Sequence, residues 1–189
     1  SVNNSRQITF HWGQYSNSAA FITGSSTYTV NTWNHVAVVR NGNTFTLYLN
    51  GTSIGSGTST DSYYQNSPTL IGKYGTNAGG FSANTFYGYI DEVRITKGVA
   101  RYTSNFTAPT KAFGNVKNVT YSNADTLSSY YEVDSNIVAD YGTLSGYSSL
   151  SSFTVGMWMQ ADSLSADNGR DQTLFMMDGP TGDSDNQFQ

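Results

Sequence analysis

The chain has 189 residues, no cysteine, a formal net charge of −4, 14% aromatic and only 12% charged residues. That length suits one large β-sandwich or two small domains and is enough to bury a sizeable core. The missing cysteines exclude a disulfide framework or a thiolate metal site. The acidic balance argues against a nucleic-acid partner, and no apolar run reaches the roughly 18 residues a membrane span needs.

The opening Ser1-Val2-Asn3-Asn4 carries neither an initiating Met nor a basic-then-apolar leader pattern, and is expected to be a processed or excised start. Tyr, Thr, Ser, Asn and Gly dominate the chain, a composition of strands joined by turns, and no stretch sustains helical periodicity. Strands are predicted at Gln7–Trp12 and Ala20–Thr23. A β-meander then follows. Its first strand is Trp33–Arg40, with Val36 and Val38 on one side, and its second is Thr44–Leu49, with Phe45, Leu47 and Leu49 alternating. Asn41-Gly42-Asn43 joins the two, because Asn and Gly accept positive φ, and Asn50-Gly51 turns the chain again into Ser53-Ile54-Gly55. Further strands are predicted at Thr69–Lys73 and Phe86–Thr96. In the latter, simple alternation puts Tyr87, Tyr89, Asp91 and Val93 on one face and Gly88, Ile90, Glu92 and Arg94 on the other.

Residues Ala100–Gly114 read as an exit loop containing Pro109. Weaker strand signals lie near Tyr130–Val133 and Ile137–Tyr141. A clear one covers Ser152–Ala161, where Phe153, Val155, Met157 and Met159 alternate with Thr154, Gly156, Trp158 and Gln160. Leu174–Met177 is another, Gly179–Asn186 a polar loop, and Asn186–Gln189 the start of a strand. Charge is unevenly divided. Ser1–Phe113 carries seven basic and three acidic residues, whereas Gly114–Gln189 carries two and ten. The halves are thus at +4 and −8, which is either two separately solvated surfaces or two pieces that attract.

Three stretches carry a family likeness: Thr32–Arg40 with its hairpin to Leu47-Tyr48-Leu49-Asn50-Gly51, then Leu70-Ile71-Gly72, then Gly88–Ile95. Together they resemble the second half of a laminin G-like, concanavalin A-like jelly roll of the pentraxin and laminin G type 3 kind found in phage and bacterial surface proteins. Ala100–Pro109 is similar to the exit from such domains in phage structural proteins. Phe153–Met159 and Gln172–Met177 resemble strands of the first half. The resemblance implies an all-β, antiparallel two-sheet jelly-roll sandwich with its halves in reversed sequence order. Residues 1–113 would be the C-terminal portion, 114–120 a linker, and 121–189 the N-terminal portion. Three arrangements fit that order: a circular permutant, one window of a tandem array, or a chain whose half-domain completes its neighbour.

A glycosidase needs two suitably spaced carboxylic acids. Glu92 and Glu132 are the only glutamates. Glu132-Val133-Asp134 resembles the start of the Glu-x-Asp-x-(x)-Glu strand of family 16 glucanases, but Asn136 and Ile137 stand where the second Glu belongs. His11 and His35, the only histidines, lack zinc-ligand spacing; His35 is expected to be a satisfied or exposed strand residue rather than a base. No enzymatic activity is expected. The resemblance does imply a rim calcium ion, for which Asp91, Asp134, Asp178, Asp183 and Asp185 are the oxygen donors. The competing readings are a solvated loop for Asp178–Asp185 and a backbone cap for Asp91. Glycan-binding candidates are the loop tyrosines Tyr63, Tyr64, Tyr74 and Tyr15, while Trp33 and Trp158 are expected to pack. The sequence thus points to a non-catalytic structural or adhesive module, outside the cell, on its surface or on a virion. Self-association would proceed through sheet or half-domain complementation. The alternative is a lectin-like module for surface glycans, with or without calcium.

Overall fold

The computed structural model describes residues 1–3, 5–10, 21–60, 69–72, 86–111, 131–133, 139–140, 151–162, 172 and 174–177. Among them every regular element is a strand. In chain order they are β1 (Gln7–Phe10), β2 (Ile22–Thr27), β3 (Asn34–Asn41), β4 (Thr44–Leu49), β5 (Thr52–Thr58), β6 (Thr69–Ile71), β7 (Gly88–Lys97), β8 (Tyr131–Val133), β9 (Ala139–Asp140), β10 (Ser152–Ala161) and β11 (Phe175–Met177). All pairings are antiparallel.

One layer is a six-stranded sheet in the order β5-β4-β3-β10-β7-β8. The other has two pieces, β1-β2 and β11-β6-β9. Val2 joins them by bridging to Ile8 on one side and to Gln172, just before β11, on the other. Between the layers lies a single apolar interior. Ile8 and Ile22 reach it from the first pair, and Ile71 and Leu174 from β6 and the approach to β11. Val36, Val38, Phe45, Leu47, Ile90, Phe153, Val155, Met157 and Met159 enter from the large sheet. Arg40 closes one end of this interior, its guanidinium 5.0 Å above the Phe45 ring and its Nε donating to the Gly42 carbonyl at 2.9 Å.

The two Asn-Gly pairs are used differently. Asn50 and Gly51 form the whole β4–β5 loop with φ of 51° and 82°, as a type I′ turn requires. Asn41 instead ends β3 opposite Thr44, and the two-residue loop is Gly42-Asn43 with φ of 62° at Gly42.

β3 and β10 are the two central strands of the large sheet. β10 pairs with β3 from Ser152↔Asn41 to Met159↔Asn34, and with β7 from Phe153↔Lys97 to Ala161↔Gly88. It is thus flanked by a strand on each side and faces the interior with Phe153, Val155, Met157 and Met159, which suits a sequence with no charged residue between Ser152 and Ala161.

Simple alternation fails on β7. Glu92 and Val93 stand together opposite Met157, and Glu92 has φ of 51°. This β-bulge advances the chain by one residue without changing faces. Ile90 therefore faces the interior, and beyond the bulge Val93 and Ile95 do so too, while Tyr89, Asp91, Arg94 and Thr96 share the opposite face. Val93 thus does not share a face with Asp91, and Arg94 does not share one with Ile90.

At the start of β7 the backbone of Gly88 has φ of 146° and lies against the Gln160 carbonyl, where a Cβ would collide. Gly88→Ala is expected to lower unfolding free energy by at least the roughly 1–3 kcal/mol of backbone strain, read from urea denaturation. A Gly42→Ala control meets no neighbouring atom, so it carries the φ penalty alone.

Candidate functional site

The six-stranded sheet has an outer face as well as an interior one. Odd residues of β3 and even residues of β10 point there, and the chain after β7 covers half of it. This strap, residues 98–110, runs from β7 across β10 and β3 to the β4–β5 turn. Its anchors follow in order. The Gly98 amide donates to the Ser152 carbonyl at 2.9 Å. Thr154 Oγ1 accepts from the Arg101 amide at 2.9 Å and donates to the Val99 carbonyl at 3.0 Å. The Tyr48 hydroxyl donates to the Tyr102 carbonyl at 3.2 Å. The Phe106 amide donates to the Gly51 carbonyl at 2.9 Å, and Asn105 Oδ1 accepts from the Ser53 amide at 2.8 Å. Beneath it Ala37, Val39 and Tyr48 form a second apolar cluster with Ala100, Tyr102 and Phe106. The rings of Tyr102 and Phe106 stack at 3.6 Å.

His35 lies under the strap, fully buried. Its ring meets Trp158 at 5.3 Å, Phe106 at 5.6 Å and Tyr102 at 6.4 Å, all edge-to-face. Neither ring nitrogen has a hydrogen-bond partner among the described residues. The expectation of an exposed or satisfied histidine is therefore wrong. The period-2 pattern showed correctly that His35 opposes Val36, but the strap that seals this side comes from residues 98–110. Burial lowers the His35 pKa to about 4 because the imidazolium has lost its water. The ring is therefore held neutral at neutral pH.

The other half of the outer face is uncovered by the strap. Here Trp158 stands between His35 on β3 and Asp91 on β7, Gln160 pairs with Tyr89, and Gly156 pairs with Arg94. Tyr89, Asp91, Arg94, Trp158 and Gln160 are all half-buried. Just before β3 comes Trp33, 41% exposed. The Asn31 amide, which donates to the Ala161 carbonyl at 2.8 Å, places this stretch beside the Gln160 end of β10. Trp33 was expected to pack, and it is instead largely exposed. Trp158 is partly accessible, with one side of its ring against His35. The arrangement is a half-buried surface of two aromatic rings beside an amide, a carboxylate and a guanidinium.

Of the calcium donors, Asp91 is the one among the described residues. Its Oδ1 accepts the Glu92 amide at 2.7 Å, which caps the bulge. No group of three His, Cys, Asp or Glu side chains that could hold a metal ion occurs among the described residues. Asp134, Asp178, Asp183 and Asp185, and the tyrosines Tyr63, Tyr64, Tyr74 and Tyr15, lie outside them. The outer-face patch is not legible from local pattern, because its members come from β7, β10 and the residue before β3, and the bulge hides which residues of β7 share a face.

Residues 1–101 match the laminin G type 3 family model, described as the concanavalin A-like lectin/glucanase superfamily. The chain belongs to this superfamily. No match was found among curated proteins or among solved structures. The matched stretch of this laminin G-like chain spans β1 to β7 and ends as the strap begins. β10, which fills the middle of the large sheet, lies beyond it.

The buried histidine makes stability depend on pH. An unfolded chain takes up a proton at His35 near pH 6.5, whereas the folded chain resists until about 4. Protonation therefore favours unfolding: the contribution is whole above pH 6.5 and drains away as pH falls toward 4. Its upper limit is about 3 kcal/mol. His35→Phe is expected to flatten the fall in melting temperature between pH 7 and pH 4.5 relative to the parent chain, measured by calorimetry in matched buffers.

Proposed function

We propose that this laminin G-like chain is a non-catalytic adhesive module, displayed outside the cell or on a virion, that recognises a glycan with the uncovered half of its large sheet. The observation that carries the reading is the patch of Trp158, Tyr89, Gln160, Asp91 and Arg94 on one face, with Trp33 at its edge. Aromatic rings suit the apolar faces of sugar rings, and the amide, carboxylate and guanidinium suit the hydroxyls around them. The strap supports this use by backing Trp158 through His35, so the ring is held in place before a ligand arrives.

Catalysis finds less support. Glu132 pairs with Tyr89 on the β8–β7 ladder. Its backbone is three positions from Glu92, roughly 10 Å along the strands. Glu92 itself occupies the strained bulge position.

A glycan array probed with and without calcium tests the reading. Binding to a defined glycan class is expected, with Tyr89→Ala and Gln160→Ala each weakening it about tenfold, near 1.4 kcal/mol, at unchanged melting temperature. A chelator separates a calcium-dependent site from one that uses the patch alone. Silence in both conditions, or retained binding in both variants, would sink the proposal.

A further inference from the structure

The described residues of the C-terminal part of the chain form no sheet of their own. Among the described residues β8 pairs with β7, β9 and β11 with β6, and β10 with β3 and β7; none of these four strands pairs with another of the four. Gln172 follows the same rule: its backbone pairs with Val2, and its side-chain carbonyl accepts the Tyr87 amide at 3.1 Å. The N-terminal part is different, since β1 pairs with β2 and β3, β4 and β5 form a meander. One part is therefore an acceptor with a slot between β3 and β7, and the other is a donor whose described strands are each inserted beside strands of the first.

From this division we infer that the donor half, residues 114–189, can be exchanged between two copies of the chain, β10 of one copy filling the β3–β7 slot of the other. The registers and the interior contacts of Phe153, Val155, Met157 and Met159 would be the same in either arrangement, because only the connection between β7 and β8 changes course. Exchange then costs little beyond association itself, and concentration sets the balance. The charge division favours the pairing in either form: the acceptor carries +4 and the donor −8. This inference is independent of the glycan reading, since it concerns how the sheet is completed rather than what its outer face holds.

The chain lacks cysteine, which permits a direct trap. Ser152 on β10 lies opposite Asn41 on β3. Full-length Asn41→Cys and Ser152→Cys chains are mixed at high concentration, unfolded and refolded together, then oxidised. A disulfide-linked dimer joining one chain of each kind is expected, and a Thr58→Cys chain replacing Asn41→Cys, its cysteine on edge strand β5, should give far less. A double variant carrying both cysteines reports whether the register forms at all, by closing the bond within one chain at low concentration. If that variant closes internally while the mixed chains yield no dimer, or no more than the Thr58 control, exchange between copies is overturned.

Discussion

The two-sided pairing of β10 is the contact on which the rest of this sandwich depends. Removing it would leave β3 and β7 with unpaired edges in the middle of the sheet, and Val36, Val38, Ile90 and Ile95 without the side chains that cover them. It also organises the outer face, because Thr154 holds the strap and Trp158 supports His35. A strand that carries no charge and little exposed surface thus connects the interior, the strap and the candidate binding surface. The family match ends before it, at residue 101, so the part that resembles the family most closely is not the part that completes its sheet.

The outer face behaves as two unlike halves of one surface. Where the strap crosses, the sheet is treated as a second interior, with Tyr48, Tyr102 and Phe106 packed face or edge toward one another. Beyond it the same strands present aromatic and polar side chains together. The boundary runs through His35 and Trp158. This explains why an imidazole whose nitrogens have no partner among the described residues is tolerated there: the rings that deny it water also fix the indole at the edge of the open half. The cost of an unsatisfied imidazole, of order 1–3 kcal/mol, is offset by the apolar surface the strap buries.

Much of this architecture was legible in the residues. Strict alternation located β3, β4 and β10 and named the side chains that enter the interior, because a half-covered or central strand leaves a clear period of two. The laminin G-like stretches at 32–51, 70–72 and 88–95 led to the right superfamily. Other features depended on relations that no local pattern records. The bulge at Glu92 follows from its opposition to Met157, a partner distant in sequence, so Val93 was assigned to the wrong face. The burial of His35 depends on a strap that reads as an ordinary Thr/Ser/Asn-rich loop. Trp33 was expected to pack because it stands at a strand position typical of the family, whereas β3 begins one residue later and leaves the indole 41% exposed. The outer-face patch draws on β7, β10 and Trp33 ahead of β3, which are neighbours only once β10 is in place.

The position of β10 also bears on how the chain is made. Its partners on β3 precede it by more than one hundred residues, so during synthesis the meander and β7 leave the ribosome long before the strand that separates them. For that interval the slot is an apolar trough with two live edges. Protein made at 5–20 residues per second would spend on the order of ten seconds in this state, when a holding chaperone or a fast partner strand decides between productive closure and aggregation.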